Sequence, residues 1–198
     1  MRPHSRRYMV PVDEHTPLPP HCHIQARFDY KIWRHILNSA GIERVPQYHF
    51  DMVRLGIGLH GISATNAPLQ PVSSFKTYIS SIREVPEGQS IGYGRKSFTT
   101  RPSRIAVITV GYADGLNRHL SNRVGHVFVK GKRVPIIGNI CMDTCMIDVT
   151  DTDATIGDEV EIFGKHIPVT ELAEQLGTIP YEILTGISHR VKRVYYKE

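Results

Sequence analysis

The sequence predicts a mainly β fold: a small barrel or sandwich over residues 68–198, preceded by a short strand–helix–strand passage over 31–67. Three observations carry that prediction. From Pro68 onward, apolar runs of strand length recur, and turns such as Pro86-Glu87-Gly88-Gln89, Lys130-Gly131-Lys132 and Ile156-Gly157-Asp158 separate them. Helical composition interrupts that half near residue 170. A chain of 198 residues with 40% hydrophobic content is long enough for one good core and part of a second.

In chain order, residues 1–30 stand apart. Prolines at 3, 11, 17, 19 and 20, mixed with His and Arg, exclude a regular helix, and an irregular or disordered segment is expected. Residues 32–37 read as a first strand. Asn38 or Ser39 then caps a short helix. Residues 52–59 read as a buried strand, with glycines where a ligand or a second backbone comes close. In the β half, strands are expected at 72–83, 105–110, 126–129, 134–137, 141–149 and 159–162. Thr170 is expected to cap a helix over 171–176 that Gly177 ends. Residues 182–186 add a helical turn, and 190–196 a last strand.

Composition excludes several function classes. The net charge of +5 is spread along the chain, as on a solvated face, and no aromatics cluster among basic residues, so a nucleic-acid surface is not expected. Cys22, Cys141 and Cys145 are odd in number and lay down no disulfide framework; reduced thiols and a cytoplasmic location are expected. Cys141 and Cys145 have no second pair of ligands at zinc spacing, and His21-Cys22-His23 lies in a featureless stretch, so no metal site is assigned. No apolar run reaches membrane-spanning length.

Chemistry concentrates in two segments, ITVGYADGLNR at 108–118 and GNICMDTCMIDVTD at 138–151. In the first, a strand ends on a glycine-bounded turn, which holds Tyr112 at a sheet edge. Tyr112 there is a proton-transfer group or the half-buried tyrosine of a hairpin.

Those segments join LNSAG at 37–41, FDMVRLGIGLHG at 50–61, SFKTYIS at 74–80, GYGR at 92–95, GDEVEIFG at 157–164 and YEILTGISHRVKRVYY at 181–196. In order and spacing they resemble the alanine racemases, pyridoxal-phosphate enzymes of fold type III, from about residue 36 to 195. The resemblance implies the C-terminal β domain of that family, preceded by the last strand–helix–strand elements of a truncated (β/α)₈ barrel. It implies interconversion of L- and D-alanine, supplying D-alanine for peptidoglycan, with two bases on opposite faces of the substrate. One base is the family's Schiff-base lysine; the other is Tyr112. Arg54 corresponds to the arginine facing the pyridine nitrogen; otherwise it is a salt bridge at a strand end. Ser39 corresponds to a phosphate-binding serine, a role compatible with capping. Gly56 and Ile57 give backbone N–H groups to the phosphate, and the Met142 N–H meets the substrate carboxylate. Asp143 and Asp148 orient turns or interfaces. His189 and His60 stand where tyrosines are usual in the family.

The family's KANAYGHG-like lysine motif has no counterpart here, and Lys31, Lys76 and Lys96 do not take its place. The barrel arginine that contacts the substrate is missing too. A truncated reading frame is therefore expected, with little or no turnover by the isolated chain. The resemblance implies a homodimer, or association with a complete racemase subunit. Alternatives are a non-catalytic β module that completes such a site in trans, and an inert gene fragment.

Overall fold

The structure, a computed structural model, describes residues 28–196. The expectation of irregular chain up to residue 27, and the His21-Cys22-His23 triplet, lie outside the described residues. The chain divides into two compact units, Met1–Arg54 and Leu55–Glu198.

The second unit is built on a closed antiparallel barrel. Its strands are β1 (Phe75–Val85), β4 (Ser103–Ile108), β5 (His126–Val129), β6 (Lys132–Ile137), β7 (Cys145–Asp148) and β8 (Glu159–Phe163). They pair in the order β1-β4-β7-β6-β5-β8, and β1 closes on β8. A separate ladder joins β2 (Ser90–Ile91) to β3 (Ser97–Phe98). Closure rests on the 11-residue strand β1. Phe75 to Tyr78 pair with β8, and Ile79 to Val85 pair with β4, with a register shift between Ile79 and Ser81. A long strand that shifts register can bend from one ladder into the next, which closing a barrel demands. The β5–β6 hairpin turns on Lys130 (φ 48°) and Gly131 (φ 76°), whose positive φ values match the twist of the flanking strands.

The barrel is filled by inward residues that alternate along its strands, among them Ile79, Ile108, Val127, Ile136, Ile147 and Val160. Each such side chain stabilises the fold by about 1.5–3 kcal/mol relative to exposure. Two helices follow, α2 (Val169–Gln175) and α3 (Pro180–Gly186); Val169, Leu176, Ile183 and Leu184 pack against this core. Helix α2 starts earlier than expected. Pro168, extended at φ −60°, takes the cap position, and Thr170 lies inside the helix.

In the first unit, α1 (Ser39–Arg44) is capped by Asn38, whose Oδ1 accepts from Gly41 N at 3.0 Å. The strand expectations around it fail. Residues 32–37 and 52–59 form no strand; Ile57–His60 is instead a 3₁₀ turn. Backbone N–H groups of Asp51 and Met52 reach Arg34 O, and Arg54 N reaches Leu37 O at 2.8 Å, but no ladder develops. A strand exists through its partners, and residues 28–54 provide no further extended segment to pair with. The last strand expected, at 190–196, is also absent. The closed barrel leaves no edge to receive it, and Tyr195 and Tyr196 are exposed. Residues 141–144 make a turn rather than the start of β7, with Cys141 N on Thr144 O at 2.9 Å.

Candidate active site

Two turns of the second unit are zipped together by backbone bonds. The first is the 3₁₀ turn Tyr112–Asp114, just after β4; the second is the Cys141–Thr144 turn before β7. Tyr112 N donates to Cys141 O and Ala113 N to Met142 O, each at 3.0 Å. Gly111 makes this approach attainable: a Cβ there would lie 2.2 Å from Met142 O and 2.4 Å from Cys141 O. Gly115 ends the turn at φ 109°, a conformation that L side chains rarely adopt. The Asp114 carboxylate folds back to accept from Gly111 N at 2.9 Å. The glycines and aspartate of the GYADG segment thus fix where Tyr112 stands.

Tyr112 (44% exposed) and Met142 (53% exposed) line one broad depression of about 640 Å³. Arg118, Asn139, Asp143 and a second phenol, Tyr93, line it as well. Among the described residues no acceptor takes the Met142 N–H. Tyr93 sits on the turn between β2 and β3 and is 78% exposed. Two features fix that turn: Arg95, a non-glycine residue, at φ 49°, and Asn139 Nδ2, which donates to Tyr93 O at 2.7 Å. Reading the sequence passed Tyr93 over, although it lies in the GYGR segment. The cue was a tyrosine between two glycines, the same signal that marked Tyr112.

Arg190 spans the two turns from beyond α3. Its Nε donates to Asp114 Oδ1 at 2.7 Å and its Nη2 to Asp143 Oδ1 at 2.6 Å. Hydrogen bonds and charge from Asp114 and then Asp143 hold this guanidinium protonated well above its usual range. Asp148 lies apart from the depression. Burial would raise its carboxyl, but hydrogen bonds from Thr150 and Arg123 prevail and hold it below the ordinary range. Burial pushes the Cys145 thiol up to about 12, so Cys145 is a core residue and no nucleophile.

The remaining residues of interest lie elsewhere. In the first unit Ser39 is the buried first residue of α1, and Arg54 Nη2 donates to Ile36 O at 2.8 Å, directly before that helix. No carboxylate pairs with Arg54 among the described ion pairs. In the second unit, Gly56 precedes the 3₁₀ turn that Ile57 opens, and Ile57 is buried. The structure therefore brings Tyr112 and Met142 together within one unit, while Ser39 and Arg54 share the other. A smaller cavity of about 230 Å³, lined by Arg101, Arg123, Lys132 and Arg133 with Asp148 and Asp151, involves none of these residues.

Comparison with known proteins accounts for this architecture. The family described as alanine racemase, C-terminal domain, matches residues 72–195. Alanine racemase 2 of Caldanaerobacter subterraneus subsp. tengcongensis is 49% identical over 172 residues, covering 82% of this chain and 44% of that protein. The alanine racemase of Desulfosudis oleivorans is 44% identical over 173 residues, again 82% and 44%. Among solved structures, the Clostridium difficile 630 alanine racemase in complex with cycloserine superposes with a TM-score of 0.80 at 37% identity, over 86% of this chain and 47% of that one. The Bartonella henselae enzyme, with covalently bound pyridoxal phosphate, gives 0.79 at 37% identity, over 88% and 50%. The chain spans about half the length of the relatives it matches. It belongs to the alanine racemase family, through that family's C-terminal β domain.

Proposed function

We propose that this chain provides the acid–base and carboxylate-binding face of an alanine racemase site, acting on L- and D-alanine and supplying D-alanine for peptidoglycan. The observation that carries this reading is the depression lined by Tyr112, Tyr93 and Met142, with Tyr112 and Met142 on the two zipped turns. A phenol can give or take the substrate's α-proton, and a backbone donor can hold its carboxylate. Tyr112 and Tyr93 share the first task. Tyr112 takes the larger share, because its turn is zipped to the turn that carries Met142; Tyr93 borders the same depression. Tyr112 is the more firmly tied.

The cofactor of this reaction is pyridoxal 5′-phosphate, and the residues present fit it in part. In the first unit, Ser39 at the start of α1 suits the phosphate and the Arg54 guanidinium the ring nitrogen; in the second, Gly56 and Ile57 offer backbone N–H groups of the kind a phosphate takes. Among the described residues lining the Tyr112 depression there is no lysine to hold the cofactor covalently. When bound, the cofactor makes the α-proton acidic by drawing electron density into its ring. In this reading residues 31–67 belong to the cofactor-binding barrel, 68–198 form the β domain, and a second subunit, identical or a complete racemase, faces the depression. The described residues contain no helix long and apolar enough to cross a membrane, in keeping with a cytoplasmic enzyme.

The isolated chain is expected to show no racemisation of alanine. Supplying the N-terminal barrel half of a family member, fused upstream of Leu37 or in trans, is expected to restore it, as followed by coupled D-alanine oxidation. Turnover by the chain alone, or a cofactor-loaded pair that stays silent, would overturn the reading.

A further inference from the structure

We propose that Arg190 is a positioning residue of this site, locking together the turns that carry Tyr112 and Met142 and neutralising the carboxylates those turns bear. The proposal rests on the carboxylate-binding reading of Met142 above. Asp114 lies two residues after Tyr112, and Asp143 directly follows Met142. One guanidinium reaches both, at 2.7 and 2.6 Å. The fork of arginine allows this; a lysine ammonium has no second, rigidly placed donor to span two carboxylates. The segment carrying Arg190 is itself tied to the first turn, since Ser188 N donates to Asp114 O at 3.1 Å. Asp114 is the sheltered partner, with 15% of its side chain exposed, and its other oxygen is taken by Gly111 N. Asp143 is 61% exposed and lines the depression.

Geometry and charge act together here. An anionic group approaching the Met142 N–H meets the carboxylate of the next residue. Left unpaired, Asp143 would repel the carboxylate the site has to bind. Arg190 removes that repulsion and keeps the two turns in register, so Tyr112 and the Met142 N–H face the depression in one fixed relation.

The test separates the two effects, using the chain paired with a family barrel half. Arg190→Gln is expected to raise KM for L-alanine about five- to tenfold through the unpaired charge. It is also expected to lower kcat about tenfold through the loosened turns. Adding Asp143→Asn should return KM toward the parent value and leave kcat low. An Arg190→Gln enzyme whose KM is not recovered by Asp143→Asn has only lost a structural prop, and the charge-screening claim fails. The clamp is read independently in the isolated chain by hydrogen exchange at the amides of Tyr112 and Ala113. Their exchange should accelerate at least tenfold in Arg190→Gln relative to the amides of β6. If Arg190→Gln does not fold, Asp143→Asn alone, a change at an exposed side chain, should accelerate the same amides; parent-like exchange overturns the clamp. A complemented pair that never racemises refutes the functional reading instead, and the amide exchange still judges the clamp.

Discussion

In the barrel, each strand from Phe75 to Phe163 has a neighbour on both sides, and the ladder closes on itself. In residues 28–54, apolar runs of similar length lie beside one another with a few backbone bonds, at Arg34 and Leu37, and no ladder forms. The difference lies in what each region supplies from within. The barrel satisfies its own peptide groups and buries its own apolar faces. The leading segment places Ser39 on a short helix and Arg54 on an extended stretch with few backbone bonds. The self-sufficient region is the one that carries Tyr112 and Met142 of the proposed site.

The largest consequence of that contrast is in local opening. Amides of β1, β4, β6 and β7 are expected to exchange only through global unfolding, with protection factors above about 10³. Those of residues 31–37 and 51–57 should exchange at least a hundredfold faster. Equal protection in the two regions, read by mass spectrometry of peptides, would show that the leading segment is held as firmly as the barrel.

A smaller effect depends on pH. Glu161 lies buried in β8 and accepts from His166 N at 2.7 Å and Ile167 N at 3.1 Å. Burial would raise its carboxyl, but these bonds, with the His166 side chain, hold it below its usual value of 4.5. A carboxyl depressed on folding stabilises the folded state above the unfolded value, and that contribution is lost as pH falls through the folded one. The thermal midpoint of the barrel should therefore fall by a few degrees as pH drops below about 4.5. Glu161→Gln should start lower at pH 7 and show a shallower fall. A variant as stable as the parent at pH 7, with the same acid slope, would show that the buried carboxylate contributes nothing.

The barrel was legible in the sequence because its information is local. Period-two runs and Gly-bearing turns set strand positions within a few residues for β1, β4, β5, β6 and β8. The exceptions are instructive. Residues 141–144 looked like strand by composition, but the Cys141–Thr144 bond makes them a turn and so presents Met142. Residues 190–196 carry strand-favouring Val and Tyr, yet a closed barrel has no edge to receive them. Residues 52–59 carry a strand pattern whose partners the described residues do not contain. Of the proposed site, Tyr112 and Met142 could be found from motif resemblance. Arg190 could not, since its role depends on two aspartates 76 and 47 residues away, brought together only by the fold.

The role of this face is tested most directly by racemisation in the chain paired with a family barrel half, compared with its Tyr93→Phe/Tyr112→Phe variant. Phenylalanine keeps the packing of each ring and removes the transferable proton. The variant is expected to lose about 10²–10⁴ in racemisation rate, while solvent deuterium still enters alanine on the face served by the barrel's own base. Of the single variants, Tyr112→Phe should lose the most rate. A double variant that racemises at the parent rate would contradict the account and leave this face of the barrel a structural surface.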